Sequence, residues 1–225
     1  MPANTCDLNS CFLCNHVLPD WKEAVAIKKK TLTFKKGAVI FKEGDPVEGI
    51  FFLTQGVVKV YKQWGEQREL IIRFAKSGDV LGHRGFWGNP AYPVSATCIE
   101  DTTACYIPDQ FLEATLQTNP AFTYRLLQLY AGELHKAEKR MRDLALMEVK
   151  GRIALVLLEI QQLFGSDDDR YIKLPVTRQD IASYAGTTYE TVFKFFTDLL
   201  AQQVISTNGK RIRINDTAAL EKFAS

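Results

Sequence analysis

The most informative stretch of the chain lies near its C-terminus and reads Thr177-Arg178-Gln179-Asp180-Ile181-Ala182-Ser183-Tyr184-Ala185-Gly186-Thr187-Thr188-Tyr189-Glu190-Thr191-Val192. Thr177 and Asp180 have the spacing of a capping box, in which two side chains bond the free N–H groups at the start of a helix. Gly186 predicts a tight turn after that short helix, because glycine adopts a positive φ without steric cost. Thr188 can cap a second helix. Two helices joined by a short glycine-containing turn predict a helix-turn-helix.

The second predicted helix has one apolar face and one exposed face. Its pattern predicts that it buries Val192, Phe196, Leu199 and Leu200, and that it exposes Tyr189, Glu190, Phe193, Lys194 and Thr197. In a helix-turn-helix, the N-terminal residues of the second helix meet base edges in the major groove. Glu190 can accept a hydrogen bond from a cytosine amino group, and Lys194 can contact guanine or phosphate. These residues predict a DNA-binding surface.

A β-hairpin is predicted directly after the second helix. Asn208-Gly209 lies between residues that alternate in polarity, which is a strong signal for a two-residue hairpin loop. Lys210, Arg211 and Arg213 would then form a basic patch beside the helix. The predicted DNA-binding residues are Thr177, Arg178, Thr188, Tyr189, Glu190, Phe193, Lys194, Lys210 and Arg211. The alternative is that the same helices and hairpin bind a protein.

Short β-rich stretches with a period of two begin at Thr31. Glycines punctuate them at predicted turns, at Gly37, Gly44, Gly56, Gly65, Gly78 and Gly82. Further strands are predicted at 69–74, 94–99 and 103–107. Several short strands with regular turn signals predict a β sandwich or barrel-like domain, which we place at residues 21–118 after a cysteine-bearing arm at 1–20.

A long helix is predicted from about Pro120 to Met147, because apolar residues recur every three or four positions. We assign residues 119–148 to this helix and 149–225 to the DNA-binding domain. Its predicted seam consists of Leu126, Tyr130, Leu134, Ala137, Met141 and Leu144. The seam could pack on the chain's own β domain or form a parallel coiled coil between two identical subunits.

Composition excludes several other classes of protein. The 225 residues carry a net charge of only +2, so nucleic-acid binding must depend on a local patch. Asp7, Asn9 and Asn15 interrupt the N-terminal stretch, which therefore does not resemble a signal peptide, and no apolar run is long enough to span a membrane. We expect a cytoplasmic protein with reduced or metal-bound cysteines. The sequence contains no Walker loop, G-x-S-x-G elbow or H-E-x-x-H motif, so no catalytic motif predicts an enzyme.

Three stretches resemble the CRP/FNR family of bacterial regulators. They are residues 37–45 continuing to 51–60, then Ser77-Gly78-Asp79-Val80-Leu81-Gly82, and then the helix-turn-helix with its hairpin. The resemblance implies an α+β fold with an N-terminal β-roll of the cyclic-nucleotide-binding, jelly-roll type, a long dimerisation helix and a C-terminal winged helix-turn-helix. It also implies a homodimer that binds palindromic promoter DNA, with RNA polymerase as a further partner of an activator. The alternative is a ligand-binding module that controls a protein partner.

The resemblance places an effector pocket at Gly82, His83, Arg84, Val94, Ser95 and Ala96. Members of the family that bind cyclic AMP have Glu after the loop glycine and Arg before Ser-Ala, and the Arg pairs with the cyclic phosphate. This chain has His83 and Val94 at those positions, so a cyclic phosphate would lack its bidentate partner. Arg84 lies nearby but does not match the motif. A cyclic nucleotide is therefore not the expected ligand.

The arm offers a different sensor. Cys6, Cys11 and Cys14 resemble the three arm cysteines of FNR-like oxygen sensors, and Cys105, before Tyr106-Ile107-Pro108, resembles their fourth ligand. Four thiolates could hold a [4Fe–4S] cluster that oxygen destroys. The arm spacing differs from the usual FNR spacing, and Cys105 could simply be a small buried residue, as we expect for Cys98. A zinc site formed by Cys6, Cys11, Cys14 and His16 is an alternative, as is an unidentified small ligand.

Overall fold

The computed structural model describes residues 11–65, 68–86, 91–173 and 176–224. The chain divides into two compact units after Leu134. Cys6, one of the predicted metal ligands, lies outside the described residues. None of the helices in the described segments has the length and apolar character needed to cross a membrane.

The first unit is built on two four-stranded antiparallel sheets. One sheet has the order β1-β8-β3-β6, and the other has the order β2-β7-β4-β5. The strands are β1 Lys30–Phe34, β2 Val39–Phe41, β3 Gly49–Gln55, β4 Val57–Trp64, β5 Arg68–Lys76, β6 Val80–Leu81, β7 Ser95–Cys98 and β8 Thr102–Pro108. Their positions confirm the predicted β domain, including the three strands predicted at 69–74, 94–99 and 103–107.

The turns of this domain depend on glycine. All six glycines predicted at turns have a positive φ. At Gly56, where φ is +89°, a Cβ would also lie 2.5 Å from the carbonyl oxygen of Asp101. This position therefore excludes other residues by backbone conformation and by space.

Among the described residues, four α-helices belong wholly or partly to the first unit. They are α1 Phe12–His16, α2 Trp21–Lys28, α3 Asp109–Thr118 and α4 Pro120–Leu146, and the division between the units falls within α4. The core between the sheets includes Leu53, Val58 and Ala104. A second apolar cluster contains residues from the arm, from β3 and from α4, among them Leu13, Phe52 and Phe122.

Helix α4 has two apolar faces rather than one. Phe122 and Leu126 are buried, at 0% and 5% exposed, so their side chains are unavailable to a second copy. Leu127, Leu134 and Met141 are 64%, 61% and 66% exposed and recur every seven residues. Of the predicted seam, Leu134, Ala137 and Met141 are exposed, Tyr130 and Leu144 are partly buried, and Leu126 is buried. The sequence did not identify Leu127 as part of the exposed face, because the spacing of apolar residues does not show which of them are buried against the chain's own β domain.

The second unit contains the predicted helix-turn-helix and hairpin. Its elements after α4 are α5 Val149–Phe164, α6 Arg178–Ala185, α7 Tyr189–Ala201, β9 Ile205–Asn208, β10 Arg211–Ile214 and α8 Thr217–Phe223. Two local predictions were wrong. Asn208 pairs with Arg211, so the hairpin loop is Gly209-Lys210 and not Asn208-Gly209. Leu200 is 37% exposed, and Phe195, at 1%, is buried with the predicted residues of α7.

Candidate nucleic-acid interface and sensor site

The capping box that begins α6 forms as predicted. The backbone N–H of Asp180 donates to Thr177 Oγ1 at 3.1 Å, and the backbone N–H of Thr177 donates to Asp180 Oδ2 at 3.0 Å. Gly186 ends the helix with a φ of +62°. The hydroxyl of Thr188 then caps α7 by accepting from the Thr191 N–H. These local bonds fix the angle between the two helices from both ends of the turn.

One arginine of α5 holds the turn between α6 and α7. Arg152 Nε donates to the carbonyl oxygen of Ala185 at 2.8 Å, and its Nη2 reaches that of Gly186 at 3.4 Å. Its Nη1 donates to the carbonyl oxygen of Met147 at 2.8 Å. Arg152 therefore satisfies carbonyl groups that helix ends leave without partners. Sequence reasoning missed it, because nothing in its local pattern distinguishes it from a surface arginine.

The N-terminal half of α7 presents an exposed face. Tyr189 and Phe193 are 42% and 52% exposed, whereas Val192 and Phe196 are buried. Glu190, Lys194 and Thr197 are also exposed, as predicted. The backbone N–H of Glu190 and the Thr188 hydroxyl hydrogen-bond the Glu190 carboxylate and lower its pKa below the usual value. Glu190 therefore remains an acceptor for an amino group.

An open groove of about 200 Å³ lies beside this face. It is lined by Val176, Thr177, Arg178, Gln179, Tyr189, Thr207, Gly209, Lys210 and Ile212. The groove brings together four of the predicted DNA-binding residues, Thr177, Arg178, Tyr189 and Lys210. Gln179, which the sequence did not single out, belongs with them. Cationic and amide side chains at a helix N-terminus are suited to binding a phosphate group.

Arg211 has a different environment from Lys210. It forms an ion pair with Asp167, a second with Asp169 at 3.5 Å, and lies 4.3 Å from the centre of the Tyr171 ring. The guanidinium therefore joins the hairpin to the loop after α5. In contrast to Lys210, Arg211 does not line the groove, and its ion pairs give it a tethering role; its predicted contact with DNA stays a prediction.

Replacing Lys210 by Gln should therefore weaken binding to all DNA sequences more than replacing Arg211 by Gln. Loss of one phosphate contact lowers the slope of log affinity against log salt by about 0.9. We expect this reduction for Lys210→Gln and a smaller one for Arg211→Gln. Titration of DNA binding across a salt series measures both slopes. Equal reductions in the two variants would contradict the tethering role.

At the predicted effector pocket, Glu133 of α4 meets three basic side chains. His83 Nε2 lies 2.9 Å from Glu133 Oε2, Arg84 Nε donates to the same oxygen at 3.1 Å, and Arg73 lies 3.4 Å from the other oxygen. Burial alone would raise the pKa of Glu133, but the His83 hydrogen bond and the charges of Arg73, His83 and Arg84 lower it to about 2. Tyr130 donates a hydrogen bond to the His83 carbonyl oxygen.

The other predicted pocket residues are also engaged by the protein itself. Val94, Ser95 and Ala96 are buried, and Ser95 Oγ accepts a hydrogen bond from the Glu43 N–H at 2.9 Å. Gly82 has a φ of +82° and precedes the buried His83. The loop is therefore connected to α4 through polar groups of this chain.

Three of the four predicted cluster ligands meet in the structure. Cys11, Cys14 and Cys105 are all buried in one apolar cluster. Hydrogen bonds from the thiols of Cys105 and Cys14 hold the pKa of Cys11 well below its usual value, despite burial. Cys98 is buried in the other cluster, as expected. Across the described ranges, no group of three or more His, Cys, Asp or Glu residues is arranged to hold a metal ion.

The alternative zinc ligand, His16, has a separate partner. Its Nδ1 donates to the Phe12 carbonyl oxygen at 2.7 Å, within the short helix α1. The hydrogen bonds that lower the pKa of Cys11 come from Cys105, Cys14 and Leu13, and His16 contributes none of them. The structure therefore brings Cys11 and Cys14 together with Cys105, and His16 is not among the groups that hydrogen-bond Cys11.

The arm is packed against the start of α4. The Phe12 ring lies 6.0 Å from that of Phe122 and 6.4 Å from that of Phe52. The backbone N–H of Leu18 donates to Asn119 Oδ1 at 2.9 Å, immediately before α4 begins. The segment that carries Cys11 and Cys14 is thus in direct contact with the long helix.

Each of the two units matches a known family of domains. Residues 31–119 match the family described as "Cyclic nucleotide-binding domain", and residues 151–223 match the "Crp-like helix-turn-helix domain". The chain is similar to the "Transcriptional activator protein anr" of Pseudomonas aeruginosa, with 27% identity over 93% of this chain and 86% of that protein. It is 26% identical to the "CRP-like cAMP-activated global transcriptional regulator" of Mycobacterium tuberculosis, over 92% and 94% of the two chains.

A solved structure has the same fold. FixK2 from Bradyrhizobium japonicum superposes with a TM-score of 0.77 and 27% sequence identity, covering 88% of this chain and 98% of that one. The matches extend over both units, so they account for the β domain, the long helix and the helix-turn-helix together.

Proposed function

This chain belongs to the CRP/FNR family of DNA-binding transcription regulators, and we propose that it binds palindromic promoter sites as a homodimer in the cytoplasm. The observation that carries this proposal is the exposed N-terminal half of α7 beside the groove that contains Arg178 and Lys210. A recognition helix enters the major groove by its N-terminal half, while neighbouring groups hold the DNA backbone.

The two parts of this surface have different roles. Glu190 accepts from a cytosine amino group, and Lys194 contacts guanine or a phosphate. Arg178, Gln179 and Lys210 bind a phosphate in the groove, at the N-terminus of α6. The base contacts supply sequence preference, and the phosphate contacts set the position of the helix.

The exposed stripe of α4 is the proposed dimer interface. Leu127, Leu134 and Met141 repeat every seven residues and remain largely exposed in a single chain. A sustained seven-residue repeat of apolar side chains is typical of two-stranded coiled coils. We expect the two recognition helices of such a dimer to meet half-sites about 34 Å apart, one turn of B-DNA. One relative is named a transcriptional activator, and RNA polymerase would be the further partner of an activator.

Footprinting on selected promoter fragments tests the proposal. We expect two inverted half-sites about one helical turn apart. Glu190→Ala should relax the preference at one base pair per half-site, with discrimination against the other bases falling roughly 5- to 150-fold. Glu221→Ala, which changes an exposed carboxylate of α8, serves as the control. A single asymmetric footprint, or an unchanged preference in Glu190→Ala, contradicts this placement of the helix.

We further propose that Cys6, Cys11, Cys14 and Cys105 hold a [4Fe–4S] cluster. The support is the contact of Cys11 with both Cys14 and Cys105 inside one apolar cluster, because thiolates are the ligands that such clusters require. When bound, the cluster supplies an oxygen-sensitive redox centre. The cyclic AMP named for the Mycobacterium relative is not proposed as the signal, because His83 and Val94 replace the residues that would recognise it.

The chain's own contacts suggest how the state of the arm reaches the dimer helix. Phe12 lies between Cys11 and Cys14 in sequence, and its ring packs on Phe122 of α4. Closely packed side chains respond to small displacements because interiors have few voids. Release of the thiols from a common ligand therefore alters the packing at the start of α4.

Iron analysis of protein purified without oxygen tests the cluster. We expect brown protein that contains iron and sulfide and that loses its colour in air. Cys11→Ser should abolish the iron, whereas Cys98→Ser should retain it, because Cys98 lies in the other apolar cluster. Colourless protein containing zinc would replace the cluster by the zinc site, and protein without either metal would contradict both.

A further inference from the structure

The recognition helix exposes two parallel ridges of opposite chemistry. Side chains four residues apart lie on the same helical face. Tyr189 and Phe193 therefore form an apolar ridge, and Glu190 and Lys194 form a charged ridge beside it. The two rings lie 6.4 Å apart with an angle of 24° between their planes, so they present one continuous aromatic surface.

This aromatic surface is open to solvent at the end of the helix that approaches DNA. Tyr189 is the first residue of α7, directly after the cap Thr188, and it also lines the groove with Lys210. The rings are 42% and 52% exposed. The other aromatic residues of the helix, Phe195 and Phe196, are buried and provide the packing that holds α7 in its unit. The ridge is thus not needed for that packing.

The major groove offers one prominent apolar group, the C5-methyl group of thymine. We propose that the Tyr189–Phe193 ridge recognises thymine methyl groups and so requires thymine at fixed positions of each half-site. This inference rests on the proposed DNA-binding function and adds the base that the apolar ridge selects. The charged ridge can read hydrogen-bonding groups of a neighbouring base pair at the same time.

The spacing of the rings limits where these thymines lie. Bases stack about 3.4 Å apart along a strand. The ring centres, 6.4 Å apart, therefore span about two base steps. The methyl groups should fall within a window of about three base pairs, next to the pair that Glu190 reads.

Uracil interference tests the proposal on full-length protein and a selected operator. Thymines are replaced at random by deoxyuridine, which lacks only the C5-methyl group. Bound and free DNA are then separated and cleaved at uracil. We expect uracil to be depleted from the bound DNA at one or two positions in each half-site. Removal of one methyl contact should weaken binding about fourfold, as expected for one buried CH₂-sized group.

Variants show which side chains read the methyl groups. In Phe193→Ala and Tyr189→Ala, uracil should no longer interfere at one of these positions, whereas Tyr189→Phe retains the ring and should retain the interference. Trp64→Ala removes an aromatic side chain of the β domain that is 80% exposed, and it serves as the matched control. Circular dichroism confirms that each variant is folded.

The outcomes separate this inference from the proposed function. Specific operator binding without uracil interference, or interference that persists in both alanine variants, would overturn methyl recognition and leave DNA binding intact. If Phe193→Ala changes neither operator affinity nor interference, the ridge is available to a protein partner instead, which also overturns the inference. Absence of any sequence-specific binding would contradict the proposed function itself.

Discussion

A Leu134→Glu variant should behave as a monomer and bind a two-half-site operator at least about 100-fold more weakly than the native protein. Leu134 is 61% exposed and lies in the middle of the proposed seam, between Leu127 and Met141. Glutamate at this position would place two like charges against each other in an apolar interface. Two linked binding sites exceed the affinity of one by about 10² to 10⁴, and this gain is lost when the link is broken.

Size-exclusion chromatography with light scattering measures the oligomeric state, and electrophoretic mobility shifts measure operator affinity. Lys136→Glu is the matched control, because residue 136 is exposed and lies about 200° around the helix from Leu134. Binding to a single half-site should change little in Leu134→Glu, since α7 is unaltered. A dimeric Leu134→Glu protein with native operator affinity would place the interface elsewhere.

Glu133→Gln should destabilise the first unit by roughly 3 kcal/mol at pH 7, because it removes the carboxylate that pairs with both Arg84 and Arg73. The interactions with His83, Arg73 and Arg84 lower the pKa of this carboxyl from 4.5 to about 2 against the opposing effect of burial. A carboxyl with a lowered pKa stabilises the folded state above the pKa of the unfolded chain, and that stability is lost as pH falls toward the lower value. The contribution of Glu133 is therefore full above about pH 5.

Urea unfolding at pH 7, 5 and 3 measures the contribution. The difference in unfolding free energy between native protein and Glu133→Gln should be similar at pH 7 and 5, and should fall by more than half at pH 3. Glu138→Gln, one turn and a half further along α4 and exposed, should have little effect at any of these pH values. A pH-independent difference would show that Gln acts by altered packing and not by loss of charge.

The helix-turn-helix was predictable because its signals are local. The capping box, the glycine turn and the cap of α7 are all set by residues within four positions of each other, and the structure contains each of them. The family assignment and the β domain with its glycine turns are confirmed as well. The assignment of individual DNA-binding residues stays a prediction.

Features that depend on distant partners were not predictable. The observed hairpin loop lies one residue after the predicted one, because the strands pair with Ile205 opposite Ile214. The Asn-Gly signal does not encode that pairing. Arg211 and Lys210 are equivalent basic residues in sequence, and only the fold places Asp167 beside Arg211. Glu133 lies 50 residues from His83, and no pattern in the chain connects them.

Helix α4 also determines where this protein could be divided to make hybrid regulators. Arg140 donates a hydrogen bond to the Tyr184 carbonyl oxygen and lies 4.0 Å from the centre of the Tyr184 ring, so the last turns of α4 belong with the DNA-reading unit. A fusion joined at the end of the helix, near residue 147, would separate this arginine from its partner. A junction just after Leu134 keeps the contact of Arg140 within the second unit and the contacts of Glu133 within the first. The first unit of this chain could then be joined to the DNA-binding unit of a relative that prefers a different operator.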